Sequence, residues 1–138
     1  MSYLFYNISA IGPVNSSTTD DVITISYTVT GGFALTYRSI FYNSTGNEIS
    51  EVIGYPMRVN VTKQVTDSGE ELLKKSILKN EFFESRFKDY SNCCDIRYYN
   101  LTVAWNNMRN SVNWTSVNSA PDNILEIVDV INHLISSR

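Results

Sequence analysis

A chain of 138 residues with 43% hydrophobic side chains is long enough for one domain with one sizeable core. A net charge of −3, with charged residues at only 18%, leaves no basic footprint for nucleic acid and no like-charge run for a membrane surface. No stretch approaches the roughly 20 apolar residues that a membrane span requires.

Residues 1–20 read as an N-terminal extension or edge strand. Leu4–Ile11 has strand composition, Gly12-Pro13 breaks it, and Asn15–Asp21 is polar loop. The apolar start is short and has no basic residue before it, so it does not read as a secretory leader. One domain is expected over residues 21–138. From Val22 the pattern sharpens. Ile23, Ile25, Tyr27 and Val29 alternate with Thr24, Ser26, Thr28 and Thr30, the period of two that marks a half-buried strand. Gly31-Gly32 ends it and supplies positive φ for a turn. Leu35–Tyr42 reads as the returning strand, and Asn43–Asn47 as the next turn.

Residues 48–66 are ambiguous, because Gly54 and Pro56 interrupt any single element; Met57–Thr62 alternates as a short strand would. A helix is expected next. Ser68 as N-cap with Glu71 three residues on makes a capping box, and Glu70/Lys74 and Glu71/Lys75 are favourable pairs four apart. Leu72, Leu73, Ile77 and Leu78 supply its buried face and Asn80 its stop. Glu84–Cys94 is polar and loop-like. Asp95–Trp105 is strongly β, Asn106-Asn107 is a turn, and Ser111–Val117 is the partner strand. The last helix opens at Ser119–Asp122 with Pro121 in its first turn. Its stripe is Ile124, Ile127, Val128, Ile131, Leu134 and Ile135. The expected fold is α+β: an antiparallel sheet of about four strands, in two hairpins near 23–42 and 95–117, covered on one face by two helices.

Little here can carry catalysis. The single histidine, His133, lies on the polar stripe of the last helix with Glu126 and Asp129. Its pairing with Asp129 four residues earlier reads as helix electrostatics rather than a metal site. A nucleophile at Cys93 or Cys94 would need that same histidine nearby. The two cysteines are adjacent, too close to bridge without strain, and match no zinc or redox spacing. Two free thiols fit a reducing cytoplasm. Six Asn-x-Ser/Thr sequons begin at Asn7, Asn15, Asn43, Asn60, Asn100 and Asn113, as expected by chance in a chain this rich in Asn, Ser and Thr. No phosphate loop is present, since Gly31-Gly32 lacks the downstream Gly and Lys. We expect no catalytic residues, no metal and no cofactor.

Two binding candidates remain. Tyr98, Tyr99, Trp105 and Trp114 lie on opposed strands of one hairpin, either as cross-strand and core pairs or as a platform beside an open pocket. Gly31–Leu35 is either a tight turn with Phe33 tucked into the core or a protruding loop that presents Phe33 or Leu35 to a partner.

The order of these pieces resembles the emfourin family, named for the protein inhibitor of protealysin, a thermolysin-like zinc metallopeptidase. The resemblance runs from about Val22 to the C-terminus. It rests on Gly31-Gly32-Phe33-Ala34 with a basic residue after it (Arg38), then a Glu- and Leu-bearing helix ending in Phe82-Phe83. Asp95, Tyr99 and Leu101-Thr102-Val103 follow, and then a helix started by Pro121. What the resemblance implies is an inhibitor that binds in the active-site cleft of such a protease; with catalytic residues nearly absent it is expected to be non-enzymatic, and the acidic balance without a leader points to the cytoplasm, where it is expected as a monomer. The candidate contacts are Gly31, Gly32, Phe33, Ala34, Leu35 and Arg38. Proteases of that class favour a bulky apolar residue just after the cleaved bond, which Phe33 or Leu35 would supply. The alternative is a non-catalytic module of the same fold with a different protein, peptide or small-molecule partner.

Overall fold

A computed structural model describes residues 21–32, 36–54, 58–89 and 96–137. The N-terminal extension, Phe33, Ala34, Leu35, Met57, Cys93, Cys94 and Asp95 lie outside the described residues.

The sheet has six strands, all paired antiparallel: β1 (Ile23–Gly31), β2 (Thr36–Asn43), β3 (Glu48–Ile53), β4 (Val59–Gln64), β5 (Arg97–Trp105) and β6 (Met108–Thr115). Their spatial order is β4-β3-β2-β1-β5-β6. The alternation of β1 is borne out: Ile23, Ile25 and Tyr27 are buried, and the intervening hydroxyl residues lie on the other face. The two expected hairpins form and meet along β1 and β5, where Ile25 faces Val103 and Tyr27 faces Leu101.

The expectation of about four strands is corrected. The Gly54–Pro56 break does not weaken one element. It separates two strands, β3 and β4, that pair with each other and extend the sheet to a new edge. Strand β4 is exposed along most of its length, so its sequence carries little burial signal. The turns follow their residues. Asn106 and Asn107 both have positive φ, the pair of left-handed positions a two-residue hairpin favours, and Asn47 takes a third.

Helix α1 spans Asp67–Lys79 and α2 spans Asp122–Ser136. The N-cap of α1 is Thr66, not Ser68: its backbone is extended and its hydroxyl accepts from the Gly69 amide at 3.1 Å. The buried face also differs from the expected one. Gly69, Leu73, Ser76 and Ile77 point inward, whereas Leu72 and Leu78, expected in the core, are 45% and 57% exposed. At Gly69 a β-carbon would lie 2.9 Å from Val65 Cγ1 and 3.1 Å from Leu134 Cδ2, so the small residue lets the two helices approach. Asn80 caps the end as expected and, together with Ser76, is a polar residue buried there; its side-chain amide donates to the Ser76 carbonyl. Of the two expected ion pairs only Glu70–Lys74 forms among the described residues, at 2.9 Å. Burial works against the Lys74 charge, but the carboxylates of Glu70 and Asp21 outweigh it and hold the ammonium above its ordinary pKa.

A 3-10 turn, Phe82–Glu84, follows α1 and buries Phe82. Asn110 on β6 holds it by donating to the carbonyls of Phe82 and Ser85. Pro121 is the N-cap of α2 rather than part of its first turn. The α2 stripe packs as expected through Ile124, Ile127, Val128, Ile131 and Ile135, with Leu134 partly buried. The core lies between that stripe, Leu73 and Ile77 of α1, and Ile23, Ile25, Ile40, Tyr42, Ile49, Leu101, Val103 and Val112 of the sheet. No helix among the described residues is long and apolar enough to cross a membrane.

Candidate functional site

The end of the sheet nearest Gly31 is built differently from the rest. Gly31 and Gly32 have φ of +92° and +87°, a conformation that side chains with a β-carbon rarely adopt. Their surroundings demand glycine as well. A β-carbon on Gly31 would lie 2.8 Å from the Ile96 carbonyl oxygen, and one on Gly32 would lie 3.1 Å from both Cγ and Nε of Arg97. The Gly32 amide donates to the Ile96 carbonyl at 3.0 Å. Gly32 is therefore pinned to the residue that precedes β5, with the Arg97 side chain laid across it.

Beside this turn the helix-facing side of the sheet opens into a cleft of about 350 Å³. Strand register explains which residues meet there. Val29 on β1 faces Arg38 on β2 and Tyr99 on β5, and Arg38 in turn faces Ile53 on β3. These four, with Tyr27, Tyr37 and Arg97, line the cleft, and no helix residue does. A wider depression of about 390 Å³ lies at the other end of the sheet around Asn106-Asn107, but it is lined mostly by turn and strand-end side chains.

Arg38 is fixed from two sides. Its Nε donates to a Glu51 carboxylate oxygen, and its Nη2 donates to Asn132 Oδ1 on α2 at 2.9 Å. Arg97 differs: it is exposed, and among the described residues no carboxylate pairs with its guanidinium. The aromatic wall is a stack. Tyr99 lies 5.4 Å from Trp114 with the rings 1° from parallel, and Tyr27 lies 6.2 Å from Trp114 at 22°. Burial, and next the neighbouring Tyr99, push the Tyr27 phenol up to about 12. A second, smaller depression of about 270 Å³ lies on the other side of the same two tyrosines, against Trp114 and Leu125.

The candidates named from sequence thus divide. Gly31, Gly32, Arg38 and Tyr99 are brought together at this end. Trp114 backs the cleft as a buried ring. Tyr98 is on the opposite face, where its ring lies 3.3 Å from the β-carbon position of Gly31. Trp105 is buried at the far end, with Lys74 5.7 Å from its ring and its indole N–H directed to Asp21. Phe33, Ala34 and Leu35 lie outside the described residues. His133 and Asp129 are both exposed on α2, with no ion pair between them. Among the described residues no group of three or more His, Cys, Asp or Glu could hold a metal.

Sequence reasoning missed Tyr27, Arg97, Glu51 and Asn132. Tyr27 sat in the apolar column of the β1 alternation and read as core. The others have no local signal; the β1–β5 register brings Arg97 here, the β2–β3 pairing Glu51, and the placement of α2 Asn132. No family model matches this chain, and no curated protein shows significant similarity to it.

Proposed function

We propose that this protein is a non-catalytic binding protein that inhibits a thermolysin-like zinc metallopeptidase. Its Gly31–Leu35 end enters the protease's active-site cleft. The observation that carries the reading is the pinned base of that loop: two left-handed glycines, a hydrogen bond to Ile96 and the Arg97 side chain laid over Gly32. A loop held at its base loses less freedom on docking, and that saving appears directly as affinity. The resemblance of the ordered motifs to the emfourin family supplies the partner. The inhibitor needs no cofactor and acts as a monomer in the cytoplasm.

The test is inhibition of a panel of thermolysin-like proteases by the full chain, with Phe33→Ala and Leu35→Ala variants alongside. Inhibition at micromolar protein that is lost in a variant with unchanged melting temperature supports both the function and the loop. A chain that neither binds nor slows any protease of the panel at that concentration overturns the reading. The second reading, a binding module with a different peptide or small-molecule partner, is favoured by one specific feature. The cleft beside the glycines gathers two arginines and three tyrosines around Val29 and Ile53.

A further inference from the structure

The hydroxyl of Tyr27 is not accounted for by packing. The residue is only 5% exposed, and its ring is held by the Trp114 stack. Yet no described residue donates to or accepts from its oxygen, although buried side-chain hydroxyls are nearly always partnered in native proteins. Tyr42 shows the usual solution on the same sheet: it is 1% exposed and donates to Asn47 Oδ1 at 2.7 Å. Tyr27 instead lines the cleft, with Tyr99 beside it and Arg38 and Arg97 at its walls.

The charges around the cleft select the ligand. Of its two lining cations, Arg38 is offset by Glu51, and Asp129 on α2 acts on Tyr27 from the helix side. Arg97 is offset by no carboxylate among the described residues. Among the described residues the site therefore offers a guanidinium with no carboxylate partner, beside a Tyr27 hydroxyl that burial keeps protonated, and so a donor, at neutral pH. Val29 and Ile53 form the apolar part of the wall. A volume of about 350 Å³ is at the small end for ligand pockets and suits one amino-acid-sized group rather than a large cofactor.

We infer that this cleft binds a carboxylate carried on a small apolar body, with Arg97 and the Tyr27 and Tyr99 hydroxyls meeting the anion and Val29 and Ile53 meeting the rest. Guanidinium suits a carboxylate because its planar fork of donors matches the two oxygens. A phenol donor adds a hydrogen bond that an uncharged amide ligand would use less well. The carboxylate can come from the C-terminus of a peptide or from an acidic side chain of a folded partner. The inference rests on reading this end of the sheet as the binding end, and not on the partner being a protease.

The experiment is an amide-resonance NMR titration of the full chain with three probes: N-acetylvaline, N-acetylvaline amide, and N-acetylglutamic acid α-amide. N-acetylvaline is expected to give saturable shifts at Tyr27, Arg97 and Tyr99, and its amide none. Tyr27→Phe and Arg97→Gln are each expected to weaken binding about tenfold or more, as for loss of a hydrogen bond to a charged group. Both variants should melt with the unsubstituted chain, because one loses a hydroxyl that no described residue partners and the other shortens an exposed side chain. Binding of N-acetylvaline alone assigns the source as a chain terminus; binding of the glutamate probe as well admits an acidic side chain. The inference is overturned if acid and amide shift the same resonances equally, if neither acid shifts them, or if Tyr27→Phe binds like the unsubstituted chain. Protease inhibition is measured on the same preparation. Inhibition without carboxylate binding removes the cleft inference alone, and carboxylate binding without inhibition removes the metallopeptidase alone.

Discussion

The two ends of the helix-covered sheet face carry similar residues to opposite purposes. At the end near the β2–β3 turn, Ile23, Ile25, Tyr42, Ile49 and Val103 are sealed in the core, and the buried tyrosine has its hydroxyl satisfied by Asn47. At the end near Gly31, Val29, Tyr99, Arg38 and Ile53 stand at the same kind of inward-facing position but are only partly buried. The hydroxyl of the buried tyrosine there, Tyr27, has no hydrogen-bond partner among the described residues. Among the described residues, one end is finished by folding and the other is left open. The difference shows that inward orientation in a strand does not make a residue structural; what covers it decides.

The largest effect should come from breaking the closed end. Leu101 is fully buried at the centre of the sheet, so Leu101→Ala is expected to cost about 2–5 kcal/mol through lost transfer energy and the cavity left behind. Val29→Ala, two strand positions toward the open end on β1, removes a side chain that already borders the cleft and should cost about 1 kcal/mol or less. Denaturant unfolding of both variants measures the contrast. Equal costs would mean that the open end is packed as tightly as the rest.

The glycines sharpen the same contrast. Gly31→Ala must hold an alanine at φ +92° with its β-carbon 2.8 Å from a backbone oxygen, and is expected to cost about 1–3 kcal/mol. Gly46, in the β2–β3 turn at the closed end, has no atom within 4 Å of its β-carbon position and no positive φ. Gly46→Ala should be neutral or stabilise by up to about 1 kcal/mol, by restricting the unfolded chain. Thermal melts of the two variants should therefore move in different directions or by clearly different amounts.

How much of this was legible depended on how local the cause was. The β1 alternation, the Asn106-Asn107 turn and the α2 stripe are decided by neighbours in sequence, and all three read correctly. The rotation of α1 was not legible. Leu72 and Leu78 are more apolar than Ser76 and Gly69, but a close helix–helix approach at Gly69 and a pair of hydrogen bonds between Asn80 and Ser76 put the small and polar residues inside. The pairing of β3 with β4 was hidden for a related reason: β4 alternates as a short strand would, but it is an edge strand exposed along most of its length, with no buried column to place it in the sheet. Part of the candidate site was visible: Gly31-Gly32 as a local glycine pair, Tyr99 as one of the hairpin aromatics, and Arg38 through the family resemblance. Tyr27 and Arg97 were not, because their convergence on one cleft is a property of strand register.

The smallest effect at neutral pH is the most telling. Tyr42→Phe leaves Asn47 without a donor and should cost about 1–2 kcal/mol. Tyr27→Phe removes a hydroxyl with no partner among the described residues and should cost almost nothing. The pair then separates further in alkali. Burial raises the folded-state pKa of both phenols above the ordinary 10.0, in Tyr27 to about 12. A raised pKa stabilises the fold fully below the unfolded value, and that contribution is lost as pH climbs from there through the folded value. Unsubstituted protein should thus lose stability from about pH 10 upward, with Lys74, also raised, adding to the loss in the same direction. The Tyr27→Phe variant lacks one of these losses. Its stability, equal to the unsubstituted chain at pH 7, should exceed it increasingly as pH rises past 10.0. Denaturant midpoints measured across that window decide the matter. A Tyr27→Phe variant already weaker at neutral pH would mean that the hydroxyl is held for the fold, and the open end would lose its strongest mark of function.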